Sequence, residues 1–137
     1  MRGWKNEHFS PALVGPLLAT IGFVTWMGLS AMGGLQQGAE GAPFRLREAW
    51  DTTAYFVVGL PMMALCVGLA GFAMSERFWK WPLWLVGGHQ AGVLLAGLGM
   101  QSGLSLIILT MILSVLLATF FAIPALAGAL ARSLATS

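Results

Sequence analysis

Residues 82–131 read PLWLVGGHQAGVLLAGLGMQSGLSLIILTMILSVLLATFFAIPALAGALA, a run without a single Asp, Glu, Lys or Arg. A helix rises about 1.5 Å per residue and the hydrocarbon core of a bilayer is about 30 Å thick, so about 20 apolar residues make one crossing. The run is long enough for two crossings, and Gln101, Ser102 and Gly103 supply a polar, Gly-containing break near its middle. It reads as a tight antiparallel hairpin of two membrane helices, at about 82–101 and 104–131. Pro82 stands at the first turn, where a missing N–H costs nothing.

Two more stretches toward the N-terminus satisfy the same rule. One covers about 53–74, entered through Asp51 and Thr52 as capping residues. The other covers about 11–35, with Ser10 placed to cap it and Pro11 behind. The 137 residues are 58% hydrophobic and 9% charged, with a mean hydropathy of +0.81, outside the range of a soluble globule. The expectation is one domain, 1–137, an all-α integral membrane bundle of four transmembrane helices. Pro16, Pro61 and Pro124 fall inside these helices, and each frees the carbonyl four residues earlier.

The connections differ in character. Residues 36–50 are polar and Gly-rich, and their second half, PFRLREAW, reads as a short segment lying on the membrane surface with Phe44, Leu46 and Trp50 dipped inward. Residues 75–81 are short and charged. Arg2, Lys5, Arg77, Lys80 and Arg132 fall on one side of the four helices, against Arg45 and Arg47 on the other, where Glu40, Glu48 and Asp51 accompany them. Cationic loops stay in the cytoplasm, so both termini are expected there and the 36–50 loop on the periplasmic side. Trp79, Trp81 and Trp84 then mark one interface, and Trp50 and Tyr55 the other, as amphipathic rings do. Arg2 and Lys5 ahead of an apolar run also resemble the start of a signal peptide. That run is too long for a signal core and contains Gly15-Pro16, so it is read as retained. Few lysines with many Ala, Leu, Gly and Trp suggest a GC-rich bacterial gene, hence a bacterial inner membrane.

In lipid, helices associate by close backbone approach rather than by the hydrophobic effect. Small residues recur at helical spacing in every span: Gly15, Ala19 and Gly22; Ala64, Gly68 and Gly71; Gly88, Gly92, Ala96, Gly99 and Gly103; and Ser114, Ala118, Ala122, Ala125 and Ala129. These faces suit internal packing of the bundle, and the third ladder also suits docking on another subunit or a second copy.

His89 is the residue that invites chemistry, since ionisable groups at membrane depth are costly. It lies roughly 10 Å below the cytoplasmic edge by helical rise, beside Gln90. Counting depth along antiparallel helices places Cys66 and the Phe120 carbonyl, freed by Pro124, near the same level, which makes Cys66, His89, Gln90 and Phe120 a candidate polar cluster. Three readings stand side by side. His89 bonds another helix as a structural group. It ligates a haem or chlorophyll-type ring, admitted by the small neighbours Gly87, Gly88, Ala91 and Gly92, with a second ligand from a partner chain. Or it contacts a proton or solute in transit.

The exclusions are chemical. One cysteine, Cys66, rules out an internal disulfide and a thiolate metal cluster. No metal site is expected from the eight methionines, which do not repeat at helical spacing with a histidine. A net charge of +2 is too small and scattered for a nucleic-acid surface. All four spans lack Asp, Glu, Lys and Arg, so hydrolysis and phosphoryl transfer have no catalytic set. The expectation is a non-enzymatic membrane protein that acts by association, as an accessory or structural subunit of a larger membrane complex or as a homo-oligomer. A small-solute transporter or channel, and a haem- or pigment-binding subunit, are the alternatives.

Overall fold

The computed structural model describes residues 10–39, 49, 52–98 and 104–137. Among them the chain is all-α. Helix α1 is Pro11–Ala39, α2 is Leu60–Ala73, α3 is Lys80–Leu98 and α4 is Leu104–Thr136. A π-helical turn, Tyr55–Gly59, leads into α2, and a 3₁₀ turn, Ser75–Arg77, links α2 to α3. Three stretches are long and apolar enough to cross a membrane: Ala12–Gly33, Tyr55–Ala73 and Ile108–Thr136. α3 is less apolar because it carries His89, Gln90 and several glycines. It is also the helix most enclosed by the others, packing on both α1 and α4.

The sequence expectation ends the first helix at 35 and the fourth at 131; the structure carries them to Ala39 and Thr136. Hydropathy marks where apolar composition ends, while backbone hydrogen bonding continues into the polar flank. The surface segment 43–50 lies outside the described residues apart from Ala49, whose carbonyl accepts both the Thr52 amide at 3.0 Å and its hydroxyl at 2.6 Å.

α1 packs chiefly on α3, and α2 chiefly on α4. Both pairs are parallel. Gly15 meets Trp84, Ala19 meets Gly88 and Trp26 meets Gly92, so residue numbers rise together along α1 and α3. Gly68 meets Pro124 and Gly128, while Phe72 and Ala73 meet Arg132, so α2 and α4 also run the same way. Within each hairpin the helices are antiparallel: Gly59 lies on Thr25 and Leu29, whereas Leu18 shares a cleft with Cys66 and Ala70. The start of α1, the α2–α3 turn and the end of α4 therefore gather at one end of the bundle.

Glycine makes both seams possible. A β-carbon on Gly22 would strike the Leu85 carbonyl oxygen, and one on Gly88 that of Ala19. On the second seam Gly71 faces the Ala125 carbonyl and Gly128 that of Gly68 in the same way. Without side chains between them the backbones approach within reach of Cα–H···O contacts. Gly88 and Gly92 of the third-helix ladder thus lie against α1, and Ala96 is half-buried. Gly99 and Gly103 lie outside the described residues.

Candidate functional site

The buried positions of α3 are Trp81, Pro82, Leu85, Val86, Gly88, His89, Gln90, Gly92 and Val93. At about 100° per residue His89 falls in the middle of that arc, so its ring points to the bundle centre, and it is 0% exposed. Trp26 of α1 covers the imidazole edge-on, with centroids 4.9 Å apart at 67°. Tyr55 reaches it from the other side, with its hydroxyl 2.9 Å from Nε2. Trp26 and Tyr55 themselves meet edge to face at 6.1 Å and 84°. The centre is thus a packed trio of rings from three helices.

Local sequence explains how the rings come together. Pro61 lacks an amide hydrogen, so the helix leading into it cannot complete its regular ladder. The preceding turn widens instead, with the Leu60 amide bonded to the Tyr55 carbonyl five residues back. Such π turns re-aim side chains, and here Tyr55 stands at the start of one. Gly59 lets that turn approach α1, where a β-carbon would lie 2.9 Å from Leu29 Cδ1 and 3.4 Å from Thr25 Cγ2. Gly92 makes room for Trp26, whose Cδ1 lies 2.9 Å from the position of its absent β-carbon.

Several polar atoms here have no protein partner among the described residues: His89 Nδ1, both amide atoms of Gln90, and Ser30 Oγ. Gln90 is 7% exposed and Ser30 1%. An unpaired buried polar group costs about 1–3 kcal/mol, so four such atoms are a substantial penalty in an otherwise apolar bundle. Between them they offer an amide donor and acceptor, a ring nitrogen and a hydroxyl.

The side chains of the other candidate positions fall elsewhere. Cys66 is half-buried in a cleft of about 290 Å³ between α1 and α2, beside Leu18 and Ile21. The Phe120 ring is 48% exposed on the outside of α4, edge-on to Phe121. The hydrogen bond of His89 goes to Tyr55, which depth counting did not select because an aromatic ring near a helix start was assigned to the interface. Tyr55 is instead 3% exposed and turned inward. Trp81 is buried too, with its indole N–H toward the Met74 carbonyl at 3.4 Å, while Trp79 and Trp84 are exposed. Trp50 lies outside the described residues.

Of the four small neighbours of His89 expected to admit a flat macrocycle, Gly88 and Gly92 lie against α1, where Ala19 takes the space at Gly88 and Trp26 that at Gly92, while Gly87 and Ala91 face outward. His89 Nε2 is engaged by Tyr55, leaving Nδ1 as the nitrogen open to another ligand. Among the described residues no three His, Cys, Asp or Glu side chains are grouped to hold a metal ion. Thr110, Ser114 and Thr119 lie on α4, and the hydroxyls of Ser114 and Thr119 bond to their own helix, at the Thr110 and Val115 carbonyls. Tyr55, Trp26 and Gly128 are the residues the sequence did not single out for these contacts. The proline six positions after Tyr55 was the available signal for the first. Comparison of the chain with protein-family models, with curated proteins and with solved structures finds no match.

Proposed function

We propose that this chain is a non-enzymatic bacterial inner-membrane protein that crosses the bilayer four times, with both termini in the cytoplasm, and acts by association with other membrane subunits or with itself. The lower hydropathy of α3 is compatible with a crossing, because α1 and α4 screen its polar pair from lipid. The cations of the 75–81 turn and of Arg132 lie at the end of the bundle where α1 begins, and the positive-inside rule assigns that end to the cytoplasm.

The observation that carries the association reading is an apolar groove of about 570 Å³ on the outside of the α1–α3 seam. Ala19, Gly87, Gly88 and Ala91 floor it, and Trp84 and Leu83 stand beside it. Gly87 has nothing within 4 Å of a β-carbon, so no internal packing explains a glycine there. Glycine costs about 1 kcal/mol relative to alanine inside a helix, and a second helix seated against it offsets that cost. Gly92 is the wrong position for testing association, because a side chain there strikes Trp26 within the molecule. Gly87→Phe is the informative variant. Native mass spectrometry after mild detergent extraction from the source membrane is expected to show partner or self complexes with the original chain and their loss with Gly87→Phe. A bare monomer in both cases overturns the proposal.

A second reading, passage of a small polar solute, is favoured by the unpaired atoms of His89, Gln90 and Ser30. In a Cys66→Ser background, Gln90→Cys is expected to react with a water-soluble thiol reagent in sealed vesicles if that centre is wet. Full protection there rejects passage.

A further inference from the structure

The end of the bundle that gathers Arg77, Lys80 and Arg132 contains a cleft of about 330 Å³, lined by Met74, Ser75, Glu76, Arg77, Trp81 and Arg132. We infer that this cleft holds the phosphate headgroup of an anionic phospholipid. The inference rests on the membrane-spanning reading above.

The cleft is built by the way α2 ends. The last carbonyls of a helix lack intrahelical partners, and Arg132 of α4 donates through Nη1 to those of Phe72, at 3.3 Å, and Ala73. That anchors the guanidinium at the cleft wall with donors to spare, since the group carries five N–H bonds. Arg77 stands exposed across the 3₁₀ turn, with Ser75 beside it. The indole N–H of Trp81 is directed at the Met74 carbonyl, which closes the floor. Lys80 lies outside the cleft, its Nζ 5.2 Å over the Trp79 ring beside the α1–α3 groove. Glu76 is the one acid among the described lining residues, so the two guanidinium groups of Arg77 and Arg132 face one carboxylate. An anion balances that excess, and planar guanidinium forks match phosphate oxygens.

The choice of a lipid over a free anion follows from what adjoins the cleft. Phe72, whose carbonyl Arg132 holds, is 44% exposed, and Leu69, one helical turn earlier on α2, is 59% exposed, so an apolar surface runs along α2 from the clamp. An occupant with a negative head and apolar chains satisfies both surfaces. Basic pockets at the cytoplasmic ends of membrane helices take anionic headgroups for this reason.

The test uses full-length protein extracted in mild detergent and titrated with phosphatidylglycerol or phosphatidylcholine, with bound lipid counted by native mass spectrometry. Arg77→Gln is the informative variant, because Arg77 is exposed while Arg132 also closes α2. Phosphatidylglycerol is expected to bind preferentially, and Arg77→Gln to weaken it about fivefold, the worth of one basic residue beside an anionic lipid surface. Arg77→Lys should retain most of the binding. Equal retention of the two lipids, or an unchanged Arg77→Gln, overturns the site. Competition by inorganic phosphate at concentrations matching the lipid identifies a free anion as occupant and overturns the lipid assignment. Recovery of the chain from membranes without detergent overturns the spanning reading itself, whereas detergent extraction with no lipid preference overturns only the cleft.

Discussion

The α1–α3 seam and the α2–α4 seam are made by the same device and filled in different ways. In each, two parallel helices exchange glycines against one another's carbonyls, Gly22 with Gly88 on one side and Gly71 with Gly128 on the other. Around the second seam Met63, Val67 and Ala70 on α2 and Phe121, Ala125 and Ala129 on α4 are buried and apolar, and Thr110 is the buried polar residue of α4 among the described residues. The prominent polar contact of this seam sits at its end, where Arg132 closes α2. The first seam encloses Trp26, His89, Gln90 and Ser30, with Tyr55 brought in from α2. Glycine contact with apolar side-chain packing is therefore sufficient to join a helix pair in this molecule without a polar centre. The polar groups of the first seam are extra, and they cost stability where they lack partners. Groups that a neighbouring seam does without are the ones to associate with function.

The largest effect expected from breaking this comparison comes from the glycines themselves. Gly88→Leu and Gly128→Leu should each unfold or misassemble the bundle, since inserted methylenes meet backbone that cannot swing aside. Overpacking costs about 1–3 kcal/mol where side chains can shift, and losses at the upper end or beyond are expected in detergent unfolding. A tolerated Gly88→Leu with a lethal Gly128→Leu would show that only the dry seam holds the fold.

Next in size is the polar centre. Tyr55→Phe removes the hydroxyl from His89 Nε2 and should destabilise by about 1 kcal/mol, within the range measured for interhelical bonds in membranes. Combined with His89→Leu, the double variant should lose less than the sum of the singles in a double-mutant cycle. Strict additivity would mean that the 2.9 Å contact contributes nothing. A smaller effect belongs to the far end of the other seam. Arg132→Gln should fray the last turn of α2 at a cost of about 0.3–1 kcal/mol, visible as faster hydrogen exchange at the Met74 amide, which bonds Ala70 at 2.9 Å. Least consequential for the comparison is Gly28→Ala, at a position that faces open space on α1 outside the α1–α3 groove. It should raise stability by no more than about 1 kcal/mol through helix propensity alone.

Much of this architecture is legible in residue order, and what is missing has a physical cause. Glycine and alanine at helical spacing identify a contact face, as at Gly15, Ala19 and Gly22, because side-chain direction follows from helix geometry. The same spacing does not say which helix will press on that face, so the parallel pairing of α1 with α3 had to come from the fold. His89 drew attention by its depth, but its partner did not. Tyr55 and Trp81 each stand near a helix end, where burial and interface anchoring suit an aromatic ring equally well, and only packing separates the two. The boundaries slipped at the ends of α1 and α4 because composition and hydrogen bonding need not stop together. Nor could the grooves be read in advance, since Gly87 and Gly88 are adjacent in sequence yet one faces outward and the other lies on Ala19.

The parallel α1–α3 seam underlies the whole account, and cysteine cross-linking tests it most directly. In a Cys66→Ser background, Ala19→Cys and Trp84→Cys place thiols on the two helices along one groove. In native membranes a short thiol cross-linker is expected to join them within one molecule, without raising its apparent mass, while each single variant stays unlinked internally. Absence of that internal bridge, with Trp84→Cys instead linking internally to a cysteine introduced at Met32 near the other end of α1, would mean that α1 and α3 run in opposite directions and would contradict the account.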